Sequence, residues 1–117
     1  SVVMDGPSES GGKNLGMRPM ETLLLGLGGC TSYDVVTILK KSRQDVKNCK
    51  AEITAQRADN IPKVFTKIHI HFIIEGSNLD AVAVERAINL SATKYCSASI
   101  MLEQSVVISN DFEIIEE

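Results

Sequence analysis

The sequence predicts one mixed α/β domain of the α+β type, spanning residues 1–117. Two stretches in which apolar and polar residues alternate predict a β-hairpin, one long apolar segment predicts a central helix, and a later stretch with helical spacing predicts a second helix. A chain of 117 residues fits one domain, and it shows no internal repeat. We therefore expect all of these elements to share a single core.

Composition excludes several classes of function. The chain is 44% hydrophobic and carries a formal net charge of -3, with no block of basic residues. A chain with this charge offers no basic surface for nucleic acid or an anionic membrane, so we expect neither as a partner. The three cysteines, with no secretory signal in view, favour a reducing cytoplasm, where unpaired thiols are structural, metal-binding or reactive.

The long apolar segment begins at Pro19 and is predicted to end near Ser42. Proline suits a first helical position because its missing N–H would lack an intrahelical partner, and Lys40 and Lys41 complement the negative end of the helix dipole. The segment is long enough to raise a transmembrane interpretation, which Asp34 within the run argues against. A helix that is apolar nearly all round must be buried by the rest of the chain or by a second copy.

The N-terminal region is predicted to contain little regular structure. Ser1–Met4 has the composition of the end of a strand, and no methionine precedes it. We expect the N-terminal strand region to be incomplete, with the chain beginning inside a longer sequence. Residues 5–18 are rich in glycine, serine and proline, so we expect a loop that is mobile or faces a partner.

Beyond the helix, periodicity predicts the remaining elements in order. Alternation predicts strands over residues 47–57 and 64–74, joined as a hairpin. A capping-box pattern that ends at Asp80 predicts a second helix over residues 80–93. A short helical turn over 97–103 and a final strand over 106–115 complete the chain.

Cys30, in the middle of the long helix, has a structural and a functional interpretation. Free cysteine is commonly buried as a small hydrophobe. Gly26, Gly28 and Gly29 remove side chains from the preceding turn, which indicates close approach of another helix or a small ligand. Asp34 lies one turn further on and would disfavour a thiolate at Cys30 if it shared that face while ionised.

Cys96 and Cys49 occupy different contexts. Cys96 is expected at the N-terminal end of a short helix, where the dipole and free N–H groups lower the pKa of a thiol. Burial in a corner between helices is the alternative. Cys49 alternates onto the apolar face of a strand, which favours a core position.

His69 and His71 form a His-x-His pair on one face of a predicted strand. This spacing occurs in metal sites, but no other cysteine, histidine or carboxylate is close in sequence. A solvated polar face is therefore the favoured interpretation, and a metal-binding domain is the weaker alternative.

Together these residues resemble a known family. Arg18-Pro19-Met20-Glu21 leading into Leu27-Gly28-Gly29-Cys30, with Lys94-Tyr95-Cys96-Ser97 far downstream, is similar to the pattern of the OsmC/Ohr family of bacterial thiol redox proteins. The stretch from Pro19 through the closing strand resembles the YhfA-like branch. The resemblance implies an OsmC-like fold, in which an antiparallel sheet wraps around long central helices and two chains intertwine as a homodimer.

The resemblance also implies a reaction. In this family the first cysteine, here Cys30, attacks an organic hydroperoxide and becomes a sulfenic acid, and the second, here Cys96, condenses with it to a disulfide that a dithiol opens. A glutamate and an arginine position the thiolate in active members. Glu21 lies one residue beyond the family's glutamate position, and no matching arginine is evident. On a straight helix Glu21 points away from Cys30, so it can reach the thiol only if the helix bends or a partner chain is involved.

The leading hypothesis is a cytoplasmic, homodimeric thiol-redox protein of the OsmC/Ohr type, with reduction of organic hydroperoxides as its candidate reaction and Cys30, Cys96 and Glu21 as candidate catalytic residues. Its expected partners are a second copy, a small organic hydroperoxide or other apolar molecule, and a dithiol reductant. We expect no cofactor, no metal, no nucleic acid and no membrane. The alternative is a non-catalytic OsmC-like protein, either a module that binds a small molecule at Gly26–Gly29 or a redox sensor.

Overall fold

A computed structural model describes residues 1–117 and shows the mixed α+β class that the sequence predicts. In order, the chain contains α1 (Pro19–Lys41), β1 (Asp45–Arg57), β2 (Phe65–Ser77), α2 (Ala81–Leu90), a π-helical turn (Ser91–Tyr95), α3 (Ser97–Leu102) and β3 (Val107–Glu116). Each predicted helix and strand is present, with its bounds shifted by at most a few residues. Periodicity predicted neither the π-helical turn nor a short 3-10 turn at Ser8–Ser10 in the N-terminal loop.

The three strands form one sheet in the order β1-β2-β3. β1 and β2 pair antiparallel, as the predicted hairpin requires, but β3 runs parallel to β2. The sheet is therefore mixed, and the expectation of a wholly antiparallel sheet was wrong for β3. The physical reason is that α2 and α3 carry the chain back across the sheet, so that β3 enters in the same direction as β2.

The core lies between the sheet and the helices. Alternate residues of β2 are buried on the inner face of the sheet, where they meet the buried side of α1 and α2. The residues of β2 that form this face are Ile68, Ile70, Phe72 and Ile74. Near the hairpin this alternation shifts, because a bulge opposite Gln56 exposes Val64 and Thr66 and buries Phe65 instead.

Helix α1 packs against the sheet through a stripe with helical spacing. Its buried residues are Leu27, Gly28, Thr31, Val35 and Leu39. Gly28 lies so close to β1 that a Cβ atom there would stand 2.8 Å from Cδ1 of Ile53. At Gly26 and Gly29 a Cβ would meet nothing within 4 Å, so the close approach predicted for the glycine cluster occurs within the chain only at Gly28.

One side of α1 faces away from the core. By length and composition alone α1 could span a membrane, and a core helix passes the same test, yet only 28% of its apolar window is buried within this chain. Leu25 and Tyr33 are 52% and 75% exposed. A single chain therefore leaves most of this apolar helix surface uncovered.

The N-terminal loop is more structured than expected. The carboxylate of Asp5 accepts hydrogen bonds from the backbone N–H groups of Gly6, Lys13 and Leu15. These bonds hold the pKa of Asp5 below its ordinary value. Met4 and Met17 form an isolated parallel bridge. The carboxylate of Asp5 and several backbone hydrogen bonds thus order a segment that has too little apolar surface to pack, which composition alone could not reveal.

Candidate active site

The structure brings two of the three predicted site residues together. The Sγ atoms of Cys30 and Cys96 lie 3.0 Å apart, although 66 positions separate these residues in the sequence. Cys30 lies midway along α1, and Cys96 lies between the π-helical turn and α3. Both are free thiols. The two cysteines meet because α2 and α1 pack side by side, so that the break after α2 falls opposite the centre of α1.

Local backbone geometry at Cys96 places its sulfur. The N–H of Cys96 donates to the carbonyl oxygen of Ser91, five residues earlier, which closes the π-helical turn. Cys96 itself has extended backbone angles and caps α3, and its Sγ accepts a bond from the N–H of Ser99 at 3.4 Å. The expectation that Cys96 begins a short helix is confirmed. π-helical turns are uncommon and are found frequently at functional sites.

The two thiols differ in exposure. Cys96 is fully buried, whereas Cys30 is partly open to solvent. A molecule that arrives from solution therefore reaches the sulfur of Cys30 first. Cys49, on the inner face of β1, is half-buried beside the core and lies outside this cluster, in agreement with its predicted core position.

Burial decides the protonation of Cys96. Desolvation, together with the hydrogen bond to Cys30, raises the pKa of Cys96 to about 11, and the N–H of Ser99 opposes this shift only in part. The expectation that the start of a helix would lower this pKa was wrong, because the cost of burying a thiolate exceeds the benefit of one N–H donor in a short helix. Near neutral pH, Cys96 is a thiol that can donate its S–H to the sulfur of Cys30.

Asp34 is the third member of the cluster, and sequence reasoning considered it only as a neighbour that could disfavour a thiolate. A carboxylate oxygen of Asp34 and the two sulfurs all lie within 4.8 Å of one another. Ser91 donates its hydroxyl to this carboxylate at 3.4 Å. The charge of Asp34 contributes to the raised pKa of Cys96. Its spacing of four residues from Cys30 was the signal that placed it on the same helix face.

Thiolate and carboxylate are also donor types that zinc accepts. The cluster of Cys30, Asp34 and Cys96 is therefore the set of residues that has suitable donors for a metal ion in this fold. Two of its three donors are the thiols that would be oxidised in the reaction implied by the family resemblance.

Glu21 lies apart from this cluster. Its carboxylate accepts the backbone N–H of Arg18 at 2.6 Å, and its own N–H donates to the carbonyl oxygen of Arg18, so the two residues close the start of α1. Nine residues separate Glu21 from Cys30, which corresponds to about 13 Å along a helix axis. The catalytic role of Glu21 stays a prediction that depends on a neighbouring chain.

His69 and His71 lie on the outer face of the sheet, on the side opposite the core. Their four ring nitrogens are hydrogen-bonded to side chains of β3 at 2.7–3.0 Å. The partners are Ser109, Asp111 and Glu113, which follow one another at every second position of the neighbouring parallel strand. Sequence reasoning missed these carboxylates because they lie about forty residues away, although their period of two matches that of the histidines.

Comparison with known proteins places the chain in a family. Residues 11–110 match the profile of the family described as OsmC-like protein. The chain is also 46% identical, over 114 residues, to protein YhfA of Escherichia coli K12, an alignment that covers 97% of this chain and 82% of the relative. This chain belongs to the OsmC-like protein family.

Solved structures agree with this assignment. A hypothetical protein from Aquifex aeolicus superposes with a TM-score of 0.83 at 36% identity, covering 89% of this chain and 78% of that protein. An OsmC from Legionella pneumophila, described as an organic hydroperoxide resistance protein, superposes with a TM-score of 0.69 at 13% identity, covering 93% and 78%. The second likeness concerns the fold alone, because its sequence identity is low.

The raised pKa of Cys96 leads to a titration experiment. In a Cys49→Ser background, we expect ultraviolet thiolate absorbance to report one thiol that titrates near 11. Adding Cys30→Ser should lower the pKa of Cys96, because a hydrogen-bonded neighbour that raises it is removed, while burial keeps it above the ordinary value. A Cys96 that titrates at or below the ordinary thiol value in both proteins would contradict this prediction.

The outer-face histidines lead to a pH-dependent stability. Bonds to Glu113 and to Asp111 raise the pKa of His71 above its ordinary value of 6.5. These bonds stabilise the folded protein when His71 is protonated. Their contribution is therefore complete below the pKa of His71 in the unfolded chain, and it is lost as the pH rises through the raised pKa of His71 in the folded protein. We expect His71→Gln to lower the free energy of unfolding more at about pH 5.5 than at about pH 9.

Denaturant unfolding at both pH values measures this difference, with Gln56→Ala on the same sheet face as the control. The control should cost the same at either pH, because no titrating group is removed. A His71→Gln cost that is independent of pH would show that the histidine is not bound to these carboxylates in its charged form.

Proposed function

We propose that this protein is a cytoplasmic thiol peroxidase that reduces organic hydroperoxides, with Cys30 as the attacking thiol and Cys96 as the resolving thiol. The observation that carries the proposal is the 3.0 Å approach of the two sulfurs, one partly open to solvent and the other buried. Membership of the OsmC-like family and the fold likeness to an organic hydroperoxide resistance protein support the reaction class.

The first step oxidises Cys30. Its thiolate attacks the outer oxygen of the hydroperoxide, the O–O bond breaks, and the departing alkoxide takes up a proton and leaves as the alcohol. The sulfur of Cys30 thereby becomes a sulfenic acid. Before this step the S–H of Cys96 is placed to donate a hydrogen bond to the sulfur of Cys30, which is the sulfur that meets the hydroperoxide.

The second step joins the two sulfurs. The sulfur of Cys96 attacks the sulfenic sulfur of Cys30, an S–S bond forms, and the hydroxyl leaves with the proton of Cys96 as water. The adjacent thiol of Cys96 protects the sulfenic acid of Cys30 from further oxidation, because the disulfide can form before a second hydroperoxide arrives. A dithiol reductant then opens the disulfide, becomes a disulfide itself, and returns both cysteines to thiols.

Peroxidase assays on cysteine variants test this proposal. With cumene hydroperoxide and a dithiol, we expect turnover to fall to the uncatalysed level in Cys30→Ser. In Cys96→Ser one equivalent of hydroperoxide should still be consumed, leaving a sulfenic acid at Cys30 that dimedone labels. The matched control, Cys49→Ser, should retain turnover because Cys49 lies outside the cluster.

Peptide mass mapping gives the decisive readings. A Cys30–Cys96 disulfide formed with turnover supports the enzyme, whereas the same disulfide without turnover indicates a redox sensor. Cysteines that remain unmodified after exposure to hydroperoxide would overturn both.

Glu21→Gln is expected to slow sulfenic acid formation if the carboxylate acts on the thiol of a neighbouring chain. An unchanged rate would limit the role of Glu21 to capping the start of α1.

The active form is proposed to be a homodimer that covers the open side of α1. Leu25 and Tyr33 are exposed there, and Gly26 and Gly29 leave the backbone accessible between them. An apolar helix face of this kind fits a second copy related by two-fold symmetry. It would supply the burial that one chain leaves incomplete.

Sedimentation velocity tests the dimer. Gly29→Arg should shift the protein from dimer to monomer, because a long cation would stand in the proposed interface, whereas Thr54→Arg on the outer face of β1 should leave the dimer intact. If the unaltered protein is a monomer, the proposed dimer is wrong. If the Gly29→Arg variant remains a dimer, the interface does not include this face of α1.

A further inference from the structure

A carboxylate beside the two sulfurs is the feature of the thiol cluster that the peroxidase reaction leaves unexplained. A carboxylate oxygen of Asp34 and the sulfurs of Cys30 and Cys96 lie within 4.8 Å of one another. A negative charge at this distance disfavours a thiolate at either cysteine. No nitrogen of a lysine, arginine or histidine side chain lies within 4.0 Å of the Asp34 carboxylate. The cluster therefore gathers three groups that can carry negative charge, with no protein cation in contact.

The donor atoms of the cluster fit zinc. Thiolate sulfur and carboxylate oxygen are both common ligands of Zn²⁺, and thiolates favour zinc over magnesium or calcium. In a tetrahedral site with bonds of about 2.3 Å to sulfur and about 2.1 Å to oxygen, neighbouring ligand atoms lie about 3.6 Å apart. The two sulfurs are 3.0 Å apart, and the carboxylate oxygen is within 4.8 Å of both. Side-chain movements of about 1 Å would therefore bring all three donors into coordination.

The backbone positions the three ligands in advance. Cys30 and Asp34 are four residues apart on α1, so their side chains leave the same face of the helix. Cys96 faces them from the break between the π-helical turn and α3. Two ligands thus come from one rigid helix, and the third comes from a segment that packs against it. The sequence did not predict a metal here, because this third ligand is distant along the chain.

The groups around the ligands also suit a metal site. The hydroxyl of Ser91 donates to the Asp34 carboxylate at 3.4 Å, and the N–H of Ser99 donates to the sulfur of Cys96 at 3.4 Å. Both serines are almost fully buried, at 1% and 2% exposure. Donors of this kind orient the ligands of metal sites and compensate their charge. Neither hydrogen bond has to break when a cation enters.

A route for the ion and a free coordination position are both present. Asp34 lies in the wall of an open cavity of about 520 Å³ between α1 and α2, and Cys30 is partly open to solvent. Three protein ligands leave the fourth position of a tetrahedral zinc ion to water or another small ligand. The cavity provides the space for that ligand.

We propose that the reduced protein binds one zinc ion through the sulfurs of Cys30 and Cys96 and a carboxylate oxygen of Asp34, and that bound zinc suppresses oxidation of the thiols. Each thiol releases its proton to solvent as it binds. The electron pair of Cys30 that would attack a hydroperoxide is then shared with the metal, so the attack slows. A Cys30–Cys96 disulfide cannot hold the ion, because its sulfurs are joined to each other and carry no thiolate charge. The zinc site stands on the geometry, whereas its effect on oxidation rests on the proposed peroxidase function.

Cobalt absorbance tests the zinc site. Co²⁺ accepts the same ligands, and a sulfur-to-cobalt charge-transfer band reports coordination by cysteine and not by histidine. With reduced protein we expect a band that saturates at one equivalent of Co²⁺, is displaced by Zn²⁺ and is absent from the disulfide form. Cys30→Ser and Cys96→Ser should each weaken binding by about 100-fold, and Asp34→Asn should weaken it by about tenfold.

Two matched controls remove metal-binding side chains elsewhere. Cys49→Ser removes the thiol outside the cluster, and a His69→Gln/His71→Gln double variant removes the imidazoles on the outer face of the sheet. Both should keep the band and the affinity of the unaltered protein. A band that is lost in Cys49→Ser, or that persists in a Cys30→Ser/Cys96→Ser double variant, would overturn the proposed site. Unchanged affinity in Asp34→Asn would overturn the assignment of the third ligand.

Single-turnover oxidation tests the effect of zinc on the thiols. We expect one equivalent of zinc to slow disulfide formation by cumene hydroperoxide by about tenfold or more, and a chelator to restore the rate. No dithiol is added, because a dithiol would itself bind zinc. In Asp34→Asn the same zinc concentration should slow the reaction less. An unchanged rate in the zinc-loaded protein would overturn the suppression.

The cobalt band and disulfide formation separate this inference from the proposed function. Disulfide formation in a protein that gives no cobalt band would retain the peroxidase and overturn the metal site. A cobalt band in a protein whose cysteines are left unmodified by hydroperoxide would retain the metal site. That second result would overturn the peroxidase and, with it, the suppression by zinc.

Discussion

The packing of α1 between the sheet and α2 is the contact on which the fold and the thiol pair both depend. A single buried stripe of the helix serves two neighbours, with Gly28 against β1 and Leu27, Val35 and Leu39 in the common core. Because this stripe fixes the rotation of α1 about its axis, it also fixes where Cys30 and Asp34 point. The site needs no separate scaffold, since the residues that carry its chemistry lie beside those that hold the core.

Burial then creates the difference between two chemically identical side chains. Cys30 remains accessible, whereas Cys96 is enclosed and its pKa is raised by desolvation. In water two such thiols would be interchangeable. In this fold one thiol is accessible from solution while the other is held as a protonated neighbour, and this difference sets the order of steps in the proposed reaction. Because the pKa of Cys96 is raised, its proton would have to leave during the proposed resolution step, and the departing hydroxyl would accept it.

Sequence periodicity predicted the elements well because each depends on local burial, and the long helix, the hairpin and the final strand have unambiguous patterns. Periodicity could not predict the direction of β3, because strand direction is set by the path of the connecting helices. The ordering of the N-terminal loop was likewise not predictable, since it depends on the particular bonds of the Asp5 carboxylate and of the loop backbone. At the site, the cysteine contexts pointed to two residues whose sulfurs lie 3.0 Å apart. The direction of the pKa shift at Cys96 was not predictable, because it depends on a balance between burial and a hydrogen bond. The bonds of Asp34 to Ser91 and of His71 to Glu113 join segments that lie far apart along the chain.

The π-helical turn at Ser91–Tyr95 has a consequence for how this chain tolerates insertions and deletions. A π-helical turn accommodates one residue more than an α-helical turn, and each residue of an α-helix accounts for a rotation of about 100°. Everything after the turn is therefore out of phase with α2, and it is this phase that directs the sulfur of Cys96 at α1. Loss of a single residue between Ser91 and Tyr95 could leave a regular helix with an intact apolar face and yet turn Cys96 away from Cys30. The number of residues in this turn, and not only the presence of two cysteines, therefore determines whether the two sulfurs face each other.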